Sequence, residues 1–241
     1  MEIELVNISH CFDKRLMIED VNVTVPSGQT LVVSGDAGCG KSLLFSIISG
    51  VLAPDSGEVL FDGQSIVAMD RQQNLAFRRQ LGVVFQVNAL VSNLSLRENL
   101  MLPLNLYFPD KDVMAKQQQV ETICKEFGLG AFVDARTDEL SSGMAALAAL
   151  ARALMLEPQC LIWDAPLNEI DLKWGEYVFR RLKHMKRAGM TMVLFTNKKI
   201  LIEQFADLHL ALCPSPHSRS DFLVCSFGQL KAIKREGADA S

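Results

Sequence analysis

An α/β fold built around a parallel sheet is what this sequence predicts, and three patterns predict it. A buried strand runs into a glycine-rich turn and then a helix between Thr30 and Ile48. Strand and helix patterns alternate again from Cys160 to Phe195, and between these two regions, from Val87 to about Leu140, helical patterning replaces strand patterning. Strand–helix–strand alternation marks parallel strands joined by right-handed crossovers, and the helical middle reads as an insertion into that core.

Taken in order, Ile3 to Ile8 and Val21 to Val25 alternate apolar with polar residues as half-buried strands do, which predicts an N-terminal antiparallel β portion. Pro26-Ser27-Gly28 then turns the chain into the apolar run Thr30-Leu31-Val32-Val33-Ser34, a buried strand. Leu43 to Ile48 is expected to be a helix closed by Ser49 and Gly50, with Gly50 in the left-handed position just past its end. Turn residues at 54–57 and at Asp62-Gly63 bracket a strand from Glu58 to Phe61, and Leu81 to Phe85 is a short apolar run ending at Gln86. The helical middle is broken at Pro103 and Pro109 and is rich in lysine and glutamine from Asp112 to Phe127. Ser141 opens a helix on which Leu147, Leu150 and Leu154 share one face. Cys160 to Trp163 and Met190 to Phe195 are buried strands on either side of a basic amphipathic helix, Glu176 to Ala188. Leu208 to Cys213 and Phe222 to Phe227 are two more strands, and a polar tail runs from Lys231 to Ser241.

The chain of 241 residues, 49% hydrophobic and 22% charged, has the composition of one packed domain or of a core with an inserted subdomain. A net charge of −4 provides no basic field to collect nucleic acid, which excludes that class of partner. The six cysteines (Cys11, Cys39, Cys124, Cys160, Cys213, Cys225) lack C-x-x-C spacing and predict buried, reduced thiols in a cytosolic setting. Met1-Glu2-Ile3-Glu4-Leu5 is acidic and alternating, unlike an export signal. The richest apolar stretches, at 145–156 and 190–195, are too short or too interrupted to cross a bilayer, which needs about 20 residues. His10, His184, His209 and His217 have no ligand spacing, and Arg180, Arg181, Lys183, Lys186 and Arg187 read as a solvated helix face.

Gly35-Asp36-Ala37-Gly38-Cys39-Gly40-Lys41-Ser42 satisfies G-x-x-x-x-G-K-[ST], between a buried strand and a helix. Glycines let the backbone curl so that successive amides converge on phosphate oxygens, and the following helix adds its positive end. In that chemistry Lys41 reaches the outer phosphates and Ser42 ligates Mg²⁺, which makes ATP with Mg²⁺ the expected cofactor pair and Leu43 the next residue of the site. The strand Cys160-Leu161-Ile162-Trp163-Asp164 delivers a carboxylate at its C-terminal end, where open α/β sheets place ligands; Asp164 suits a second Mg²⁺ contact.

With Leu140-Ser141-Ser142-Gly143-Met144 between them, these motifs resemble the ATPase domains of ABC transporters, along nearly the whole chain. The resemblance implies a P-loop NTPase fold with a RecA-like parallel core at 1–86 and 155–230, a helical subdomain at 87–154 and a tail at 231–241. It implies a glutamine loop at Gln86, also near the metal, a signature at Ser141 to Met144, a D-loop at Asp171 and a switch position at Thr196-Asn197. Phe12 falls where the family stacks an aromatic on adenine; an ordinary core phenylalanine is the other reading. Ser141 can cap a helix whose free amides, with Gly143 allowing close approach, meet ATP held by a second such domain, so a dimer is implied. Ser142 replaces the first of the usual glycine pair.

Two further positions, both on the reaction path, depart from the family pattern. Ala165 stands where members carry the glutamate that polarises the attacking water, and Asn197 stands where they carry the switch histidine. A methyl group accepts no proton, and loss of a general base removes roughly 10²–10⁴ in rate while sparing ground-state binding. Glu169, the nearest downstream carboxylate, is expected to face the dimer seam instead of replacing that base. Gln86-Val87-Asn88-Ala89-Leu90, Leu96-Arg97-Glu98-Asn99-Leu100, Pro103-Leu104 and Met144 look like the Mla-type ATPases of phospholipid transport. That likeness implies an integral-membrane permease contacting the stretch from Asn88 to Tyr107, and a peripheral place on the cytoplasmic face of the membrane. The alternative is an ATP-dependent dimer clamp or regulatory subunit that does not hydrolyse. A repair or translation ATPase is disfavoured, since the chain has neither a long coiled-coil insertion nor tandem domains.

Overall fold

The computed structural model describes residues 1–12, 15–86, 89–168, 170, 172–212, 225–226 and 229–232, without the side chains of 12, 15–16, 172–173, 225–226 and 229–232. In chain order the elements are β1 (Ile3–Phe12), β2 (Arg15–Val25), β3 (Thr30–Gly35), α1 (Lys41–Ile48), β4 (Ser56–Phe61), β5 (Gln64–Ser65), α2 (Arg71–Arg78) and β6 (Leu81–Val84). There follow α3 (Leu96–Tyr107), α4 (Val113–Glu126), α5 (Ser142–Leu154), β7 (Cys160–Asp164), α6 (Leu172–Arg187), β8 (Thr191–Phe195), α7 (Lys199–Phe205), β9 (Leu208–Leu212), β10 (Cys225–Ser226) and β11 (Gln229–Ala232). The chain divides into two compact units, one of Met1–Asn74 with Met185–Ser241 and one of Leu75–His184.

The first unit holds two sheets. In one, of order β10-β2-β1-β4-β5, β1 pairs antiparallel with β2 and with β4, setting Ile3 opposite Val25 and Phe61. Both N-terminal strands run further than the alternation of their residues predicts. Register shifts between Leu5, Ile8, His10 and Cys11 reset which side chains face inward, so the period-two signal stops at Ile8 while the pairing continues. In the other sheet β3 lies parallel to β8 and to β9, and β11 pairs antiparallel with β9. Lys231 and Ala232, which the sequence assigns to the polar tail, therefore belong to a strand, opposite His209 and Leu208. Leu31, Val32 and Val33 of β3 and Met192, Val193, Leu194 and Phe195 of β8 are all buried, and Phe45 of α1 meets Phe195 edge-on at 5.6 Å. α1 starts at Lys41, two residues earlier than expected, and it ends as expected: Gly50, at φ 69°, donates to Ile47.

In the second unit β6 and β7 pair in parallel, Leu81 opposite Cys160. A Cβ on Gly82 would lie 2.9 Å from the Ala153 carbonyl, so the close passage of α5 over β6 requires glycine there. α2 escaped the sequence reading because Phe77 is its only buried side chain and it has no apolar stripe. The break expected at Pro103 does not occur. α3 passes through it, because Leu96, Leu100 and Leu104 form one fully buried stripe whose packing offsets the ~3 kcal/mol a helix-interior proline costs. Pro109 lies beyond the α3 cap at Phe108, as expected of a stop, and Asp112 caps α4 by accepting from Ala115 at 3.0 Å. On α5, Leu147, Leu150 and Leu154 are buried together with Ala146, Ala148 and Ala149, so its alanine-rich start is core packing.

The basic run on α6 is only partly a solvated face. Arg181 pairs with Glu126 at 2.9 Å and lies over the Phe127 ring, while Lys186 donates to the Phe205 carbonyl at 2.5 Å and pairs with Asp207. Among the described cysteines Cys39, Cys124 and Cys160 are buried thiols, and burial pushes the Cys124 thiol up to about 11. Cys11 instead is exposed, on the outward side of β1.

A buried amide holds the segment after Gln86. Asn99, fully buried on α3, accepts from the Val91 N–H at 2.8 Å and donates to the carbonyls of Val91 at 3.1 Å and Ser95 at 3.0 Å. Arg152 of α5 adds a bond to the Ala89 carbonyl at 2.9 Å. Asn99→Ala leaves the Val91 N–H without its acceptor, while the Val91 and Ser95 carbonyls keep the N–H groups of Leu94 and residue 99. It is expected to cost about 1–3 kcal/mol, read as a lower urea midpoint with an unchanged slope.

Candidate phosphate-loop site

The strand β3 ends in the glycine-rich loop because its last residue can be nothing else. Gly35 has φ +154°, and a Cβ there would lie 2.5 Å from Cys39 Sγ and 2.6 Å from the Leu212 carbonyl. At the far end Gly40, φ +89°, precedes α1 in a left-handed conformation that disfavours any side chain by about 1–2 kcal/mol. The α1 N-terminus has no side-chain cap and no acid in its first turn, so no side chain of that turn competes for its first backbone amides. Gly38, φ +78°, opens on free space. A curled glycine loop feeding an uncapped helix start fits phosphate.

Lys41 Nζ reaches back across the loop, donating to the Gly35 carbonyl at 2.5 Å and the Asp36 carbonyl at 2.7 Å, with Cys39 Sγ at 3.7 Å. Ser42 is exposed and Leu43 half-buried. Asn197, at the end of β8, bonds Gly35 twice: its Oδ1 accepts from the Gly35 N–H at 2.9 Å and its Nδ2 donates to the Gly35 carbonyl at 2.8 Å. Below the loop, Ser34 Oγ and His209 Nε2 are 2.7 Å apart. His209 received no role from the sequence, since no spacing rule links it to Ser34; the parallel register of β3 and β9 does.

In the second unit the structure brings Gln86, Asp164 and Ala165 to the rim of one crevice of about 10 Å³, too narrow to hold a ligand within that unit. Asp164 is buried, with 8% of its surface exposed, and Gln86 is exposed. Ala165 and Leu167 both have left-handed backbones, φ 54° and 67°, flanking Pro166, and the Asn168 N–H closes the turn on the Ala165 carbonyl at 3.2 Å. At α5, Ser141 accepts from the Met144 N–H at 3.3 Å as the expected cap, and Gly143 is buried. The Phe12 side chain and residues Val87, Asn88, Glu169 and Asp171 lie outside the described residues. Among the described residues no three His, Cys, Asp or Glu side chains form a metal cluster. Ser42 and Asp164, one hydroxyl and one carboxylate, are the donor types that hold magnesium when it arrives with nucleotide phosphates.

A parallel sheet with helices, a separate antiparallel sheet and a glycine loop between β3 and α1 define a P-loop NTPase. Residues 18–168 match the ABC transporter family, and the chain belongs to it. Among solved structures it resembles the ATP-binding cassette MJ0796, solved as a dimer in a post-hydrolysis state with ADP and Pi, at 27% identity and TM-score 0.79 over 87% of this chain and 93% of that one. It is 34% identical to the intermembrane phospholipid transport system ATP-binding protein MlaF of Escherichia coli (strain K12), over 68% of this chain and 61% of the relative. It is 27% identical to the spermidine/putrescine import ATP-binding protein PotA of Mesoplasma florum, over 81% of this chain. The chain spans about half the length of that relative, 54%.

The left-handed turn yields a test. Ala165→Gly relieves a backbone conformation that a Cβ disfavours and is expected to raise stability by about 0.5–1 kcal/mol, after the entropy a glycine adds to the unfolded chain. Guanidinium unfolding of the two proteins measures it.

Proposed function

We propose that this chain is the ATP-binding subunit of a membrane transporter, in which nucleotide is held firmly and hydrolysed slowly or not at all. The observation that carries this reading is the pairing of an intact loop, Gly35 through Ser42, with Ala165 directly after Asp164. The loop amides, Lys41 and the α1 N-terminus would hold the phosphates, with Leu43 beside them. Ser42, Gln86 and Asp164 would hold Mg²⁺, which supplies charge neutralisation at the phosphates. Phe12 would stack on the base, and Ser141 with Gly143 would meet the nucleotide of a second domain, identical or not.

The permease contact falls on the stretch from Asn88 to Tyr107. Support comes from Leu102 and Leu106, 39% and 60% exposed, beside a groove of about 330 Å³ that Pro103, Tyr107, Arg152 and Leu156 also line. Apolar side chains left in water beside a groove mark an interaction surface. Among the described residues no helix is long and apolar enough to cross a membrane, so attachment to a membrane would run through that partner. Phospholipid is the favoured cargo class on the likeness to MlaF; the further likeness to PotA, a spermidine/putrescine import protein by name, supports a reading in which cargo is set in other subunits. A dimer clamp or regulatory subunit is the second reading. Ala165 favours it, because ATP that is not consumed can hold two domains shut.

Ala165→Glu tests the catalytic half. Wild type and variant are expected to bind Mg-ATP alike, and phosphate release is expected to rise in the variant, within the roughly 10²–10⁴ that a general base contributes. Equal and brisk release by both refutes the role given to position 165. Phosphate release by the assembled transporter separates the two readings: none at all, with ATP-driven dimerisation, selects the clamp.

A further inference from the structure

From the paired bonds between Asn197 and Gly35, we infer that Asn197 is a positioning residue that clamps the first peptide of the phosphate loop, so that position 197 governs nucleotide affinity. The inference rests on reading residues 35–42 as a phosphate loop and goes beyond it in giving the switch position a different duty.

The geometry follows from where the ladder ends. β3 and β8 pair in parallel from Thr30 opposite Met192 to Val33 opposite Phe195, and the Thr196 N–H still donates to Val33 at 2.8 Å. Pairing with β8 stops there while pairing with β9 runs on to Gly35 opposite Leu212, so two residues past Val33 the Gly35 N–H and C=O find no partner in the β8 ladder. The Asn197 side chain supplies both partners, its carbonyl accepting at 2.9 Å and its amide donating at 2.8 Å. A primary amide suits this because its acceptor and donor lie side by side, matching the N–H and C=O of one residue at a strand edge, which point to the same side. The two bonds also fix which end is oxygen, since the Gly35 N–H can only donate and its carbonyl can only accept.

Imidazole cannot substitute. It also carries one donor and one acceptor when neutral, but its nitrogens point away from each other and cannot both meet one residue's backbone. Histidine at 197 would leave the Gly35 peptide free on at least one side. The Gly35 carbonyl is also the acceptor for Lys41 Nζ at 2.5 Å, so loosening this peptide loosens the lysine. Asn197 is thus committed to the loop. The histidine common in the family would be a loss here.

The test compares wild type with Asn197→Ala, Asn197→His and Asn197→Asp in the full chain. Asn197 is exposed, so these changes leave the core intact. Two readouts are used: affinity for a fluorescent ATP analogue with Mg²⁺, and hydrogen exchange of the Gly35 amide. Alanine and histidine are each expected to weaken the analogue by about tenfold and to speed Gly35 exchange by a similar factor, the effect of losing one to two hydrogen bonds. Aspartate keeps the acceptor and is expected to keep exchange slow. Unchanged affinity and exchange in Asn197→Ala overturn the inference, as does Asn197→His with undiminished affinity and faster phosphate release. If wild type binds no analogue, the phosphate-loop reading fails, and the exchange rates alone decide the clamp.

Discussion

The peptide at Gly35 carries the constraint on which this molecule's site depends. It is where a parallel strand becomes a curled loop, and the ladder with β8 has already stopped at Val33 although Gly35 still lies opposite Leu212 of β9. The chain answers with the Asn197 amide on both sides and Lys41 on the carbonyl, and the space where a Cβ would stand is already filled by Cys39 and Leu212. A loop made of glycines is otherwise the least ordered stretch a chain can have, because each glycine surrenders the most backbone freedom on folding. Holding its entrance with short polar bonds, at the edge of a rigid sheet, offsets part of that entropy before any ligand arrives.

The second unit shows a different balance. Asp164 is carried to the end of a strand whose residues are all buried, and the chain then turns sharply through two left-handed residues that are not glycine. Backbone strain of this kind persists where the surroundings over-determine it. Here the turn sets the position at which a side chain after Asp164 would project, and that side chain is a methyl group. Chemistry that needs a proton acceptor at this point is absent from residue 165, while the binding groups of the loop are present. The proposed division between holding and hydrolysing a nucleotide rests on that contrast.

Much of the fold was legible because buried strands and a motif of fixed spacing leave strong local signals. Thr30 to Gly40, the Ser141 cap and the leucine stripe of α5 could be read from residue type alone. The misses share a cause, which is that tertiary contacts decided them. Pro103 stays helical because three buried leucines hold its helix, and α2 is helical with almost no apolar face. The β1 bulges hid the second half of that strand from any alternation rule. At the site, the sequence identified Asn197 by what it replaces. Its bonds to Gly35, 162 residues away, depend on two strands lying side by side, and no spacing encodes that. Asn99 and Arg152 were missed for the same reason, although Ser95 and Glu98 form a capping box that marks the helix start beside Asn99.

Calorimetric titration of Mg-ATP into the full chain, beside Lys41→Ala, tests the central claim most directly. Saturable binding by the wild type and its loss in the variant is the predicted result. No heat from the wild type, or equal binding by both, would contradict a loop that grips phosphate through Lys41 and its neighbouring amides.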